Sequence, residues 1–380
     1  MQASDLRVAL FSGNYNYVRD GANQALNLLV GHLLSRGVQV RVYSPTTKRP
    51  AFAPTGDLVS VPSLPFPAGR DEYRFACGLP AKIRRDLAAF APNIVHVAAP
   101  DILGHRALSW ARDHGVATVA SLHTRFETYL RYYRLSWLER PLQKMLTRFY
   151  DRSDTVLVPA PGMADILHGW GVRTPVTIWS RGVDHARFSP DRRDREWRRE
   201  LGIGDDDLAI GFLGRLVKEK GLDVFADVAR ALAVRRIRHK LLVIGDGPAR
   251  EWFAGQVPDA VFAGFQRGDA LGRAVASMDV FFNPSVTETF GNVTLEAMAA
   301  GVPIVAARAT GTSDLVDDGR TGFLVPPRDA DAYADAIGRI AADPALRRAL
   351  GAAGHAKAAG YCWDRINDTV LNTYRELARR

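Results

Sequence analysis

Short apolar runs alternate with longer stretches of helical spacing along most of the chain. Arg7–Ser12, Val38–Tyr43, Ile94–Ala98, Ala117–Leu122 and Thr155–Pro159 read as strands, being brief, apolar and bounded by turn residues. Between them, Gly21–Ser35, Arg84–Phe90, Gly104–His114 and Leu138–Arg152 repeat apolar positions at helical spacing, and Gly37 closes the first of these helices. Strands that alternate with helices predict a parallel sheet covered on both faces.

The same pattern then restarts. Ala209–Leu213, Lys240–Ile244, Ala260–Ala263, Val280–Asn283, Ile304–Ala306 and Gly322–Val325 read as strands, and Leu222–Ala233 as a helix. Arg181–Arg193 is polar and holds Gly and Pro, as a linker does. A chain of 380 residues suits two domains, since single cores stop growing near ~250–300 residues. The predicted α/β division is 1–185 and 186–358, each Rossmann-like, followed by an amphipathic helical segment, 359–380. Ligands of open α/β sheets sit at the C-terminal ends of the strands, so a cleft between two facing domains is expected there.

The loops at those strand ends carry the candidate chemistry. Glu288 and Glu296 bracket Thr289-Phe290-Gly291-Asn292-Val293-Thr294-Leu295. Pro284–Gly291 reads as a loop and Asn292–Ala300 as a helix, ended by Gly301 and Pro303. Both carboxylates therefore lie near a helix N-terminus, where N–H groups and the dipole attract phosphate. Two acidic side chains there can also simply offset the dipole.

Gly214-Arg215 and Lys220-Gly221 frame the loop after the first strand of the second domain. A guanidinium and an ammonium in such a loop suit a diphosphate, while Lys218 and Glu219 read as solvated. Gly245-Asp-Gly247-Pro and Phe265 end the next strands. In the first domain, Gly13, Asp20, Gly21 and Asn23 line a glycine-containing βα turn able to approach a phosphate or to serve only as a tight turn. His123 ends a strand, as His96 does with a weaker claim on substrate. Arg181 suits either a phosphate or an anchor to Asp184. Asp205-Asp206-Asp207 precedes its strand, away from the expected cleft, and reads as a solvated turn; no catalytic metal is predicted.

Several of these strings resemble one family. Glu288-Thr-Phe-Gly-Asn with Glu296-Ala-Met-Ala-Ala-Gly-Val-Pro, the Gly214-Arg215…Lys220-Gly221 loop and His123-Thr-Arg-Phe-Glu-Thr-Tyr resemble the retaining GT-B glycosyltransferases of family 4, in particular lipid-directed mannosyl- and sulfoquinovosyl-transferring members. The resemblance implies a terminal helix crossing back to the first domain and a nucleotide-sugar donor as co-substrate, with no cofactor. It implies transfer of a hexosyl group to a hydroxyl of a lipid or glycan acceptor with retained configuration. Glu288, His123, Arg215 and Lys220 are then the catalytic set. Gly13, Asp20, Gly21, Asn23, Arg181, Gly214, Gly245, Gly247, Phe265, Thr289–Val293 and Glu296 bind donor. GDP-mannose is the leading donor. UDP-sugar transfer, epimerase or phosphorylase chemistry, and non-catalytic sugar-nucleotide binding are the alternatives.

Composition adds limits. Lys plus Arg number 50 against 41 Asp plus Glu, a net +9 that favours an anionic partner. No zinc-finger spacing, RNP-like string or basic tail points to nucleic acid. Residues 125–152 join Arg125, Arg131, Arg134, Arg140, Lys144, Arg148 and Arg152 to Phe126, Tyr129, Tyr132, Tyr133, Trp137 and Phe149. That mixture suits an anionic membrane surface or an ordinary helix with a basic outer face. Two cysteines, Cys77 and Cys362, give no disulfide framework. With no signal peptide or apolar run of ~20 residues, the expectation is a cytoplasmic protein, soluble or peripheral on the inner face of the plasma membrane.

Overall fold

The computed structural model describes residues 2–18, 20–65, 74–132 and 135–379. Tyr133 and Arg134 of the basic aromatic stretch, and the side chains of Tyr129, Arg131 and Tyr132, lie outside the described residues. The chain divides into two compact units, Met1–Arg181 with Trp363–Arg380, and Gly182–Cys362.

The first unit holds β1 (Arg7–Phe11), β2 (Gln39–Ser44), β3 (Asp57–Ser60), β4 (Ser63–Pro65), β5 (Arg74–Ala76), β6 (Ile94–Val97), β7 (Ala117–Ser121), β8 (Thr155–Val158) and β9 (Val176–Ile178). Seven of these form one parallel sheet, ordered β3-β2-β1-β6-β7-β8-β9, and β4 pairs with β5 antiparallel. Successive residues of β1 enter different cores: Val8 and Leu10 join one, Ala9 and Phe11 the other. Both faces of the sheet are therefore buried, which is why its central strands read as unbroken apolar runs. The terminal helix Trp363–Leu377 belongs to this unit and adds Val370, Leu371, Tyr374 and Leu377 to the Val8 core.

The second unit holds β10 (Leu208–Leu213), β11 (His239–Ile244), β12 (Val261–Gly264), β13 (Val280–Asn283), β14 (Ile304–Ala307) and β15 (Gly322–Val325). Its parallel sheet runs β12-β11-β10-β13-β14-β15. Phe282 packs its ring 5.0 Å from Phe225 on one helix and 5.0 Å from Tyr333 on another.

In each sheet the strand order reverses once, between β1 and β6 in the first unit and between β10 and β13 in the second. Such a reversal opens a crevice beyond the strand C-termini. The loops after β10 and β13 flank that crevice in the second unit.

The structure departs from the sequence pattern in places. β3, β4, β5 and β9 were not expected; they are short, and none is fully buried. The predicted 138–152 helix begins with a 3-10 turn, Ser136–Leu138, and is helical over Glu139–Tyr150. The helices Pro161–Gly169, Arg250–Gln256, Gly268–Ala276, Ala330–Ala342 and Pro344–Ala358 also went unread.

Candidate functional site

The site of the second unit is built from loops tied to its strands. Asn283 ends β13, fully within the core. Its Nδ2 donates to Thr294 Oγ1 at 3.1 Å, and its Oδ1 accepts from the Ser285 N–H at 3.1 Å. One side chain thus fixes both the start of the loop and the helix that follows it. Phe290 is buried, its ring edge-on to Tyr361. Gly291 then caps the Asn292–Ala299 helix with φ +94°. A side chain at this left-handed position would cost roughly 1–2 kcal/mol. The leading N–H groups of the helix, at Asn292 and Val293, have no acceptor within it and form its positive end.

Glu288 lies in this loop. Its Oε1 accepts from Lys220 Nζ at 2.6 Å. Lys220 ends a 3-10 turn, Lys218–Lys220, in the loop after β10. Burial pushes the Glu288 carboxyl up, but the Lys220 charge and hydrogen bond and the Ser285 hydroxyl outweigh it and hold the group below the usual carboxylate range. Glu288 is therefore ionised in this geometry.

Gly311 supports the same loop from the side. Its φ is +85°, and a Cβ there would meet Glu288 O at 2.8 Å and Phe290 N at 3.0 Å. The sequence reading missed Gly311. The available signal was a glycine just beyond the C-terminal end of the strand Ile304–Ala307.

Glu296 sits within the Asn292–Ala299 helix and keeps a little accessible surface, yet protein atoms crowd its carboxyl. That desolvation raises it to about 8, against a small opposing pull from Arg187. The two glutamates are thus driven apart in acidity: Glu288 is held as an anion and Glu296 is largely protonated near neutrality.

The remaining predicted residues of this unit share the C-terminal edge of the sheet. Gly214 N–H donates to Ile244 O at 3.0 Å, Leu216 N–H to Asp246 O at 2.9 Å and Gly245 N–H to Gly264 O at 2.9 Å. These bonds knit the loops carrying Arg215, Gly245 and Gly247 into one rim. Arg215 is exposed on it, and Phe265, just past β12, is 62% exposed. Thr289 stands beside Glu288 in the chain, half-buried. Asp205-Asp206-Asp207 lies at the opposite end of β10. There these residues line a cavity of about 770 Å³ with Arg193, Arg195, Arg198 and Arg238, and Asp207 accepts from Gly204 N–H and Arg238 Nε.

In the first unit the predicted residues fall into two groups. Asp20 caps the Gly21–Ser35 helix, its Oδ1 accepting from Asn23 N–H at 2.8 Å. Asn23 Nδ2 donates to Val18 O at 2.8 Å. These polar groups hold the turn itself. Gly13 lies against Asp101, which the sequence reading also missed: a Cβ on Gly13 would fall 2.7 Å from Asp101 Oδ2. Asp101 caps the helix after β6 by accepting from Gly104 N–H at 2.7 Å. Burial raises its carboxyl to about 6, against the pull of its backbone hydrogen bonds.

The second group is a hydrogen-bonded row. Arg181 Nη2 lies 3.0 Å from His123 Nδ1, His123 Nε2 lies 2.9 Å from Ser121 Oγ, Ser121 Oγ lies 2.8 Å from His96 Nε2, and His96 Nδ1 lies 2.6 Å from Tyr374 Oη. His96 is wholly buried, which overturns its reading as a substrate contact. Burial lowers it to about 3. Among the described residues Arg181 anchors to backbone rather than to Asp184: Nη1 donates to Trp179 O at 2.7 Å and Ser180 O at 3.0 Å, while Asp184 accepts from Ala186 and Arg187 N–H.

The basic aromatic stretch is also split. Leu146, Phe149 and Tyr150 of Glu139–Tyr150 are buried, whereas Arg140, Lys144, Met145 and Arg148 are exposed and Trp137 is 72% exposed.

A Lys–Glu pair beside a helix N-terminus, at the C-terminal edge of a doubly wound parallel sheet, suits an anionic ligand, and the comparisons with known proteins give the class. The family described as "Glycosyl transferases group 1" matches residues 207–343, and "Glycosyltransferase Family 4" matches residues 19–187. The sulfoquinovosyl transferase SQD2 of Arabidopsis thaliana is 31% identical over 96% of this chain and 72% of its own length. A GDP-mannose-dependent alpha-mannosyltransferase of Mycobacterium tuberculosis is 31% identical over 99% of this chain and 98% of its own. The solved sucrose-phosphate synthase of Thermosynechococcus elongatus shares the fold with a TM-score of 0.80 at 22% identity, covering 98% of this chain and 99% of that one. The chain belongs to family 4 of the GT-B glycosyltransferases and is a hexosyltransferase.

Proposed function

We propose that this enzyme is a retaining, metal-independent hexosyltransferase that moves a mannosyl group from GDP-mannose to a hydroxyl of a lipid or glycan acceptor. The Lys220–Glu288 pair at the positive end of the Asn292–Ala299 helix is the observation that carries this reading. The leaving diphosphate gains negative charge as the glycosidic bond breaks. Arg215, Lys220 and the helix N–H groups supply preorganised positive charge for it. The departing phosphate takes the acceptor's proton, and attack comes from the face it leaves. Glu288 accepts from sugar hydroxyls beside the reacting carbon, Glu296 binds the ribose hydroxyls, and His123 contacts the sugar. The Gly245–Gly247 turn and the exposed Phe265 suit the flat base.

GDP-mannose is favoured because the Mycobacterium tuberculosis relative that uses it aligns along nearly its whole length. A lipid acceptor draws support from the exposed Arg140, Lys144 and Arg148 beside Trp137 and Met145, a surface fit for anionic lipid headgroups.

The test is a melting-temperature screen of GDP-, UDP- and ADP-sugars, followed by product analysis with the stabilising donor. A ligand bound only by the folded state raises the transition. Stabilisation by GDP-mannose and an acceptor-dependent product support the proposal. A UDP-sugar as best donor would replace the donor assignment. Isomerisation of donor alone, or a requirement for inorganic phosphate, would mark an epimerase or a phosphorylase instead. Stabilisation without any turnover would mark a binding protein.

A further inference from the structure

We propose that Arg181 is a positioning residue for His123: its buried guanidinium binds Nδ1 and holds the imidazole neutral, in the tautomer with its proton on Nε2. This rests on the reading of His123 as a sugar contact. Arg181 is 4% exposed and lies flat on Trp179, its Cζ 4.7 Å from the ring centroid. Two backbone carbonyls, of Trp179 and Ser180, fix one nitrogen, and a second nitrogen points at His123 Nδ1 at 3.0 Å. A guanidinium has only hydrogens to offer. Nδ1 must therefore be the lone-pair nitrogen, and the ring proton must sit on Nε2, directed at Ser121 Oγ 2.9 Å away.

A second proton on His123 would have no place. It would point at a cation, in surroundings whose burial already disfavours charge. Burial, the Arg181 charge and His96 all lower the basicity of His123, in that order. Among the described residues, the titratable groups facing it include Arg181, on the segment after β9, and His96 on β6, with Tyr374 of the terminal helix behind His96. Trp179 closes the other side with its ring edge, 5.5 Å from His123. The result is an uncharged ring, its Nε2–H spent on Ser121 Oγ and its Nδ1 on Arg181, whose orientation does not change across the working pH range. Such a ring meets the sugar through its C–H edge, and an imidazolium there would repel the positive charge that develops at the reacting carbon. A guanidinium committed in this way is not available to grip phosphate, so Arg181 acts through His123.

The test uses the full chain carrying ¹⁵N-labelled histidine, with tautomers read by long-range ¹H–¹⁵N correlation. His123 is expected to show an unprotonated Nδ1 and a protonated Nε2 from pH 5.5 to 8.5. In Arg181→Leu the ring should take up its second proton at a higher pH than in wild type, still below its ordinary value because burial and His96 remain. Transfer should then fall roughly tenfold for each pH unit below the ring's new value, with affinity for the nucleoside diphosphate alone unchanged. Arg181→Lys, which keeps a donor, should restore the wild-type tautomer and pH profile. A wild-type His123 carrying its proton on Nδ1, or an Arg181→Leu variant with an unmoved pH profile and weakened diphosphate binding, would overturn the proposal. If Arg181→Leu fails to fold, the wild-type spectrum and Arg181→Lys still decide. If the donor-site reading itself is wrong, wild type binds no nucleotide sugar, while the tautomer remains measurable on its own.

Discussion

Lys220 Nζ stands 2.6 Å from Glu288 Oε1, joining the loop after β10 to the loop after β13 across the point where the strand order reverses. Neither side chain is fully exposed, at 30% and 13%. The ammonium keeps the carboxylate ionised. In the proposed mechanism a diphosphate competes for the ammonium, and the carboxylate then turns to sugar hydroxyls.

Removing the cation should upset both. Lys220→Met leaves a crowded carboxylate without its partner, so the Glu288 carboxyl should move above its ordinary range. In wild type its depressed value contributes stability at pH above the ordinary carboxylate range, which is lost as pH falls through the lowered value. The variant should lack that contribution and melt lower at pH 7, by less than the roughly 3–5 kcal/mol of a fully buried broken pair. Melting curves from pH 3 to 8 check the stability, and transfer should drop by about 10²–10³.

Glu296 predicts the opposite pH trend. Its folded value of about 8 exceeds the ordinary 4.5. The folded state favours the protonated form, so the contribution is full below 4.5 and declines as pH rises towards 8. Glu296→Gln should therefore gain stability over wild type above pH 8, by up to about a few kcal/mol, and little at pH 5. Paired thermal scans at the two pH values measure it. Donor affinity in Glu296→Ala should fall about 10–100-fold, the loss expected for hydroxyl bonds to a charged or buried partner.

Gly311→Ala tests the support of the loop. The added methyl meets Glu288 O at 2.8 Å and must push the loop aside. The fold should persist with a modest loss of stability, about 1–3 kcal/mol. Transfer should fall by at least about 10², because small displacements at a reacting centre are costly. Circular dichroism alongside kinetics separates the two effects.

Tyr374→Phe removes the last hydroxyl of the His96 row. His96 is wholly buried, so its unpaired nitrogen should cost about 1–3 kcal/mol. Chemical denaturation would measure this. A loss of the same size in the His96→Phe variant, with no further loss in the double variant, is the expected coupling.

Much of this was legible in the chain. The apolar runs of the central strands gave both sheets because these strands are buried on both faces. Glu288, Arg215 and Lys220 stood out because they lie in loops that follow such runs, and the topology gathers strand C-termini on one edge. What escaped was set by long-range packing. Gly311 matters only because its loop folds onto Glu288, and Asp101 only because the loop after β6 meets Gly13. The row from Arg181 to Tyr374 spans β6, β7 and the terminal helix, and no spacing in the sequence links those segments. Edge strands such as β3 and β9 escaped because they are half-exposed and carry no continuous apolar run.

The central claim is that Glu288, ionised by Lys220, acts on the bound sugar. The most direct measurement is the transfer rate of Glu288→Gln at saturating donor, with its melting transition and donor affinity recorded on the same sample. A drop of about 10²–10³ with folding and donor binding retained is the predicted result. Near wild-type transfer by that variant would contradict the account.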